Sequence, residues 1–177
     1  MKNIKVTIYT KEQGKFDLNK EEYYNFNFDN ITYHRDDGPA VSCYFSNGSV
    51  EVEYYYINGK RHRIDGPAQI WYHEDGSVGR EFYYINDKRH RIDGPASIYY
   101  HPNRSVKSEY YYINDKRHRK DGPAEIYYHE DGRVECEYYY INNKEYQKED
   151  YYNLINEMKA LPKSLRLVHE LWWVREL

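Results

Sequence analysis

The chain has 177 residues and a mass of 21.7 kDa, room for one ordinary domain but not for separate catalytic and regulatory domains. Charged residues make up 31% of it, yet the net charge is −3, which excludes the strong uniform field of a histone-like or polybasic membrane-binding protein. No run of roughly 18 apolar residues could cross a bilayer, and the opening Met1-Lys2-Asn3-Ile4-Lys5 lacks the apolar stretch and cleavage site of a secretory signal, so a soluble protein of a reducing cytoplasm is expected.

The apolar share is unusual in kind: 24 residues are Tyr, against five Phe, three Trp and two Met. A core built from rings with polar tips favours a thin, wide structure over a thick globule.

In chain order, Ile4, Val6 and Ile8 alternate as a lone strand. Phe26, Phe28 and Asn30 align with Tyr54, Tyr56 and Asn58 and read as a degenerate half-unit, so residues 1–30 form an N-terminal cap.

Residues 31–147 then hold four copies of one unit. His-Arg-x-Asp-Gly-Pro-Ala begins at His34, His62, His90 and His118, 28 residues apart each time. The alanines Ala40, Ala68, Ala96 and Ala124 lead into alternating positions that reach Tyr44, Tyr72, Tyr100 and Tyr128, the period of a strand. A turn follows, centred on Asn47-Gly48, Asp75-Gly76, Asn103-Arg104 and Asp131-Gly132. The return strand runs from Val50, Val78, Val106 and Val134 through Glu53, Glu81, Glu109 and Glu137 into three aromatics and an isoleucine. A second turn, Asn58-Gly59 and its equivalents Asn86-Asp87, Asn114-Asp115 and Asn142-Asn143, leads to a lysine and the next unit.

Residues 148–177 break the pattern and read as a helical cap over the last sheet edge. Tyr151, Leu154, Ile155 and Met158 fall at helical spacing, with Asp150 as N-cap and Pro162 as the stop. A second helix opens at Ser164 and carries Trp172 and Trp173, a pair that closes an apolar cap or anchors a partner. The expected architecture is therefore all-β, an elongated antiparallel meander of hairpins with a short helical C-terminal cap.

The stretch Tyr56-Ile57-Asn58-Gly59-Lys60-Arg61-His62, followed by Ile70-Trp71-Tyr72 and Asp75-Gly76-Ser77, resembles the MORN (membrane occupation and recognition nexus) repeat over roughly residues 26–147. The unit is longer than the usual repeat, and Arg-x-Asp-Gly-Pro-Ala replaces its Gly-x-Gly connector. In this it is similar to a variant common in giant DNA viruses and bacteriophages. The resemblance implies an elongated meander without chemistry, and roles in scaffolding, protein contact and sometimes lipid contact.

Several constellations invite function. Within the Asp-Gly-Pro-Ala corner, Asp65 is expected to accept local hydrogen bonds, Gly66 to adopt a conformation other residues resist, Pro67 to stiffen the connector and Ala68 to allow close packing. Lys60-Arg61-His62-Arg63 recurs in the next units, placing Arg61, Arg63, Arg89, Arg91, Arg117 and Arg119 in a stripe with a step of about 10 Å. Such a stripe beside tyrosines could hold nucleic acid or a nucleotide signal; pairing of the arginines with Asp65, Asp93 and Asp121 is the favoured alternative.

The histidines would stand about 10 Å apart, too far for shared zinc ligation at about 2.1 Å, and Cys43 and Cys136, roughly 30 Å apart by strand spacing, read as free thiols. His34-Arg35-Asp36 matches a kinase triplet only by coincidence with the unit. A reaction centre is one asymmetric constellation, whereas each polar cluster here is copied; the unique parts are the N-terminal strand, the end caps and the variable strand positions Val41, Gln69, Ser97 and Glu125. The expectation is a protein with no enzymatic activity and no cofactor. It would bind a protein partner through an aromatic face that includes Tyr55, Tyr83, Tyr111, Tyr139 and Trp71, with self-association through an uncovered sheet edge as a further possibility.

Overall fold

The computed structural model describes residues 5–10, 14–19, 22, 31–162 and 165. Each unit folds as two antiparallel hairpins of unequal length, because two turn sequences of different geometry punctuate it.

The longer hairpins are β3 (Val41–Tyr44) with β4 (Val50–Tyr54), β7 (Gln69–Tyr72) with β8 (Val78–Phe82), β11 (Ser97–Tyr100) with β12 (Val106–Tyr110), and β15 (Glu125–Tyr128) with β16 (Val134–Ile141). Their turns close when Asn47, Asp75, Asn103 or Asp131 accepts the backbone N–H two residues on. The following residue has positive φ, met by Gly48, Gly76 and Gly132 but by Arg104 (φ 72°) in the third unit. A register shift recurs at the same place, for example between Trp71 and Tyr72.

The shorter hairpins are β5 (Tyr56–Ile57) with β6 (Lys60–Arg61), β9 (Tyr84–Ile85) with β10 (Lys88–Arg89), β13 (Tyr112–Ile113) with β14 (Lys116–Arg117), and, extending β16, β17 (Lys144–Tyr146). Both central residues of their turns are left-handed, as in Asn86 (φ 50°) and Asp87 (φ 68°). That is the two-residue turn whose twist matches the strands.

With β1 (Lys5–Thr10) and β2 (Gly14–Asn19), the long strands form an eleven-stranded antiparallel sheet in the order β17-β16-β15-β12-β11-β8-β7-β4-β3-β1-β2. The meander expected from the sequence is thus present. At its N-terminal end, β1 pairs with both β3 and β2, so it is not a lone strand. Beside β3, Tyr9 donates to the Ala40 carbonyl just as Tyr55 does to Ala68; a segment unlike the unit in sequence thereby occupies the place of a preceding unit. Phe26, Phe28 and Asn30 lie outside the described residues.

At the other end, α1 (Lys148–Ala160) covers β16. Gln147, not Asp150, is its N-cap residue, and Glu149 and Asp150 fall in the first turn, where they favour the helix dipole. The helix stops at Leu161, before Pro162. The remainder of the expected second helix, with Trp172 and Trp173, lies outside the described residues.

No thick core exists among the described residues. The alanines that close each corner motif are fully buried, and Ile70, Ile98 and Ile126 are buried as well, each contributing roughly 1.5–3 kcal/mol. Two apolar clusters close the ends: Val6, Ile8 and Val41 at one, Tyr139, Ile141, Tyr151 and Ile155 at the other. Cys43 and Cys136 are free thiols, and burial pushes Cys43 up to about 11.

Candidate interaction surface

Alternation along the strands sorts the aromatic residues onto two faces. Val52 pairs with Trp71 and Glu53 with Ile70, so Tyr54 and Trp71 share one face while Glu53, Ile70 and Tyr72 share the other.

On the second face, three tyrosines that end strands donate to a glutamate of the preceding unit: Tyr72 to Glu53 at 3.0 Å, Tyr100 to Glu81 at 2.9 Å and Tyr128 to Glu109 at 3.0 Å. Burial, reinforced by these carboxylates, raises the phenols well above their usual value. Tyr55, Tyr83 and Tyr111 also lie on this face, so the structure does not bring them together with Trp71. Each serves instead as the platform for an arginine. Arg63, Arg91 and Arg119 sit 4.0, 4.0 and 3.9 Å from the ring centroids of Tyr55, Tyr83 and Tyr111. The same guanidiniums donate to Asp65, Asp93 and Asp121 at 3.0, 3.2 and 2.8 Å. Arg35 repeats the arrangement on Tyr9, 4.0 Å from its centroid, and on Asp37. The pairing depresses the Asp37 and Asp65 carboxyls below their ordinary range.

This arginine also explains the corner glycine. Gly66 has no positive φ, so the expected special backbone conformation is absent. A Cβ there would lie 3.0 Å from the Arg63 Cζ; the glycine leaves room for the guanidinium.

A second arginine column crosses between units. Arg61 and Arg89 stack on Tyr84 and Tyr112 of the next unit, 3.9 and 4.1 Å from the centroids, and pair with Asp87 and Asp115 at 3.0 and 3.4 Å. In the last unit Asn143 replaces the aspartate and takes only the Arg117 backbone N–H, at 2.7 Å. Arg117 Nε stands 3.2 Å from Glu125 instead. The histidines stitch the same seam: Nδ1 of His62, His90 and His118 lies 3.0, 2.9 and 2.9 Å from the side-chain oxygen of Asn86, Asn114 and Asn142. Among the described residues no group of three His, Cys, Asp or Glu side chains is placed to hold a metal ion.

The first face carries rings packed edge-on: Tyr54 on Trp71 at 6.3 Å, then Phe82, Tyr99, Tyr110, Tyr127 and Tyr138 in succession at 5.6 to 6.2 Å. These side chains are half-buried or exposed. The helix packs on Tyr139 and Ile141, on the opposite side of β16, and covers none of them. At the C-terminal end of this ladder the Tyr110 hydroxyl donates to Tyr127 at 3.0 Å and Tyr127 to the buried Glu125 at 2.6 Å. That carboxylate is one of the variable positions, and its signal in the sequence was only that it differs from Gln69 and Ser97.

Tyr139 lies beneath the cap. Its ring is 5.0 Å from Tyr151, and Lys148 stands 5.7 Å over it while bonding Glu137 at 3.2 Å, the place an arginine takes in earlier units. Burial raises its phenol to about 12. Comparison with protein-family models, with curated proteins and with solved structures finds no match to this chain, so the reading of this surface rests on its geometry.

Proposed function

We propose that the chain is a non-enzymatic, MORN-like repeat scaffold that binds a protein partner along its aromatic ladder, and, from the sequence resemblance, that it is a cytoplasmic viral or phage accessory protein acting on a host or viral component. The observation that carries the binding reading is the row from Phe82 to Tyr138, rigid rings held edge-on across the strands with their outer surfaces uncovered among the described residues. Preorganised aromatics are the side chains that dominate protein contacts. The arginines support the same reading from the other direction: their guanidiniums already stack on tyrosine and pair with carboxylates, so little charge is left for a polyanion.

The test begins with capture by the intact chain, followed by calorimetry with the purified partner. Replacing Trp71 and Tyr99 together with Ala, with the strand signal by circular dichroism retained, should abolish binding. Triple replacement of Arg61, Arg89 and Arg117 with Ala should leave the salt dependence of binding unchanged. Binding that survives the aromatic change but disappears with salt or with the triple arginine change overturns the proposal.

A further inference from the structure

The aromatic ladder repeats its rings but not its charges. Beside the rings run the variable strand positions, and only the last of them, Glu125, carries a carboxylate where Val41, Gln69 and Ser97 stand in the earlier units. Glu125 pairs across the strands with Tyr138 and lies two residues before Tyr127, so all three share the ladder face. Its side chain is 9% exposed, and a carboxylate taken that far out of water needs partners.

Two partners are present. One oxygen accepts from the Tyr127 hydroxyl at 2.6 Å, and the other lies 3.2 Å from Arg117 Nε. A carboxylate offers about four acceptor sites, so these two contacts do not saturate it. Arg117 is itself held loosely, in a seam where Asn143 replaces the aspartate. Its guanidinium carbon stands 5.2 Å from the Tyr140 centroid, against 3.9 and 4.1 Å for Arg61 and Arg89 on the rings of their own seams.

Glu125 lines a pocket of about 370 Å³ together with Tyr127, Tyr138 and Tyr140. Tyr127 and Tyr138 meet at 83° with centroids 6.2 Å apart, two walls near a right angle, and Tyr138 is 40% exposed. A second carboxylate comes from the hairpin irregularity. Tyr127 pairs with Cys136 and Tyr128 with Val134, so Glu135 is the extra residue of a bulge, and it lines the same pocket. The corresponding extra residues in the earlier units are Glu51, Gly79 and Lys107, so the two carboxylates coincide only in the fourth unit. Against Glu125 and Glu135 the lining sets one guanidinium, that of Arg117, which leaves the pocket net negative.

Rings set at a right angle beside carboxylates suit a cation: the ring faces attract it and a carboxylate accepts its hydrogen bonds. Arg117 over Tyr140 is an internal example of the same pairing. We propose that this pocket takes a lysine or arginine side chain of the protein that binds the ladder. The proposal rests on the ladder reading for the protein that brings the side chain, but not for the chemistry of the site.

The test titrates the full chain with Nα-acetyl-lysine methylamide and with Nα-acetyl-arginine methylamide, following backbone amides by two-dimensional NMR; the uncharged norleucine analogue is the control. Saturable millimolar shifts at Glu125, Tyr127, Cys136 and Tyr138 are expected from at least one basic probe, and none from norleucine. Glu125→Gln places there the residue type that the second unit carries as Gln69, and unchanged circular dichroism confirms the fold. It should weaken the basic probe about tenfold or more. Glu135→Gln, at an exposed position, should weaken it by a smaller factor, about two- to fivefold. No saturable shift, equal shifts from norleucine, or an affinity indifferent to Glu125→Gln overturns the proposal. The probes need no protein partner, so failure of the pocket and failure of the ladder are read separately.

Discussion

Arg61 and Asp87, 26 residues apart, tie one unit to the next: the Asp87 carboxylate accepts from both the backbone N–H and the Nε of Arg61 at 3.0 Å. Asp87 holds a left-handed conformation to do so, φ 68°. Gly59 stands at the same turn position, where the facing residue is Tyr33 and no guanidinium needs a partner. Asn143 stands there where Arg117 has turned to Glu125.

Asp87→Gly therefore gains about 1 kcal/mol of backbone relief from the left-handed conformation but loses a part-buried, charge-assisted bond in the range of about 1.5–3 kcal/mol. The expected result is a net loss of about 1 kcal/mol. Asp87→Asn keeps the backbone bond, as Asn143 does, and gives up only a half-exposed ion pair worth under about 1 kcal/mol. Urea midpoints should fall in the order wild type, Asn, Gly; a glycine variant as stable as wild type would remove the seam from the account.

The corner glycines give a graded series. The distance from a built Cβ to the arginine Cζ is 2.8 Å at Gly38, 3.0 Å at Gly66 and Gly94, and 3.4 Å at Gly122. A guanidinium held between a tyrosine ring, an aspartate and the proline carbonyl cannot swing aside without losing those contacts, about 1 kcal/mol or more. Glycine to alanine should cost most at Gly38, about 1 kcal/mol at Gly66 and Gly94, and little at Gly122, where the entropy of the unfolded chain offsets it. Equal thermal shifts at all four positions would mean that backbone conformation, not the guanidinium, selects glycine.

Much of this was legible from the spacing. The constant 28-residue interval and the strand period implied a meander, and the helical spacing of Tyr151, Ile155 and Met158 implied the cap. The pairing of Arg63 with Asp65 followed from opposite charges two residues apart. Three features were not readable, each for a physical reason. Tyr9 replaces a unit's tyrosine from a segment without the motif, since only its backbone register with Ala40 makes it equivalent. Tyr55 and Trp71 fell on opposite faces because a run of three aromatics hides which of them alternates outward. The exposure of Ile64 and Ile92, 87% and 85%, is a property of the corner's shape, and a variable letter inside a conserved-looking motif carries no sign of it.

His118 makes the array sensitive to acid. It is buried at the seam with Nδ1 2.9 Å from Asn142 Oδ1. Burial lowers the imidazolium below its ordinary 6.5; the Asn142 bond opposes the shift and the Lys120 charge adds to it. The folded state thus prefers neutral His118. Stability is fully present above pH about 6.5 and declines as pH falls from there through the folded value, after which this contribution is constant. Each unit of depression corresponds to about 1.4 kcal/mol. His118→Asn, whose amide nitrogen takes the place of Nδ1 and keeps a donor to Asn142, should flatten the melting temperature between pH 7 and 5 relative to wild type. Parallel pH profiles for the two proteins would rule the histidine out.

One hydroxyl ties α1 to the last corner of the sheet. Tyr151, fully buried, donates to the Arg119 carbonyl at 2.8 Å and accepts from the Gly122 N–H at 3.2 Å, the two sides of the last corner. Tyr151→Phe fills the same space and leaves both backbone groups without that partner, a cost of about 1–3 kcal/mol. Tyr151→Ala also opens a cavity between Tyr139 and Ile155, about 3–5 kcal/mol. The distinguishing measurement is amide hydrogen exchange. With Phe, exchange should quicken at Gly122 and along α1 while β7 and β8 keep their protection, because units far from the cap share no contact with it. Uniform loss of protection along the sheet would mean that the helix is no separate cap but part of one cooperative core.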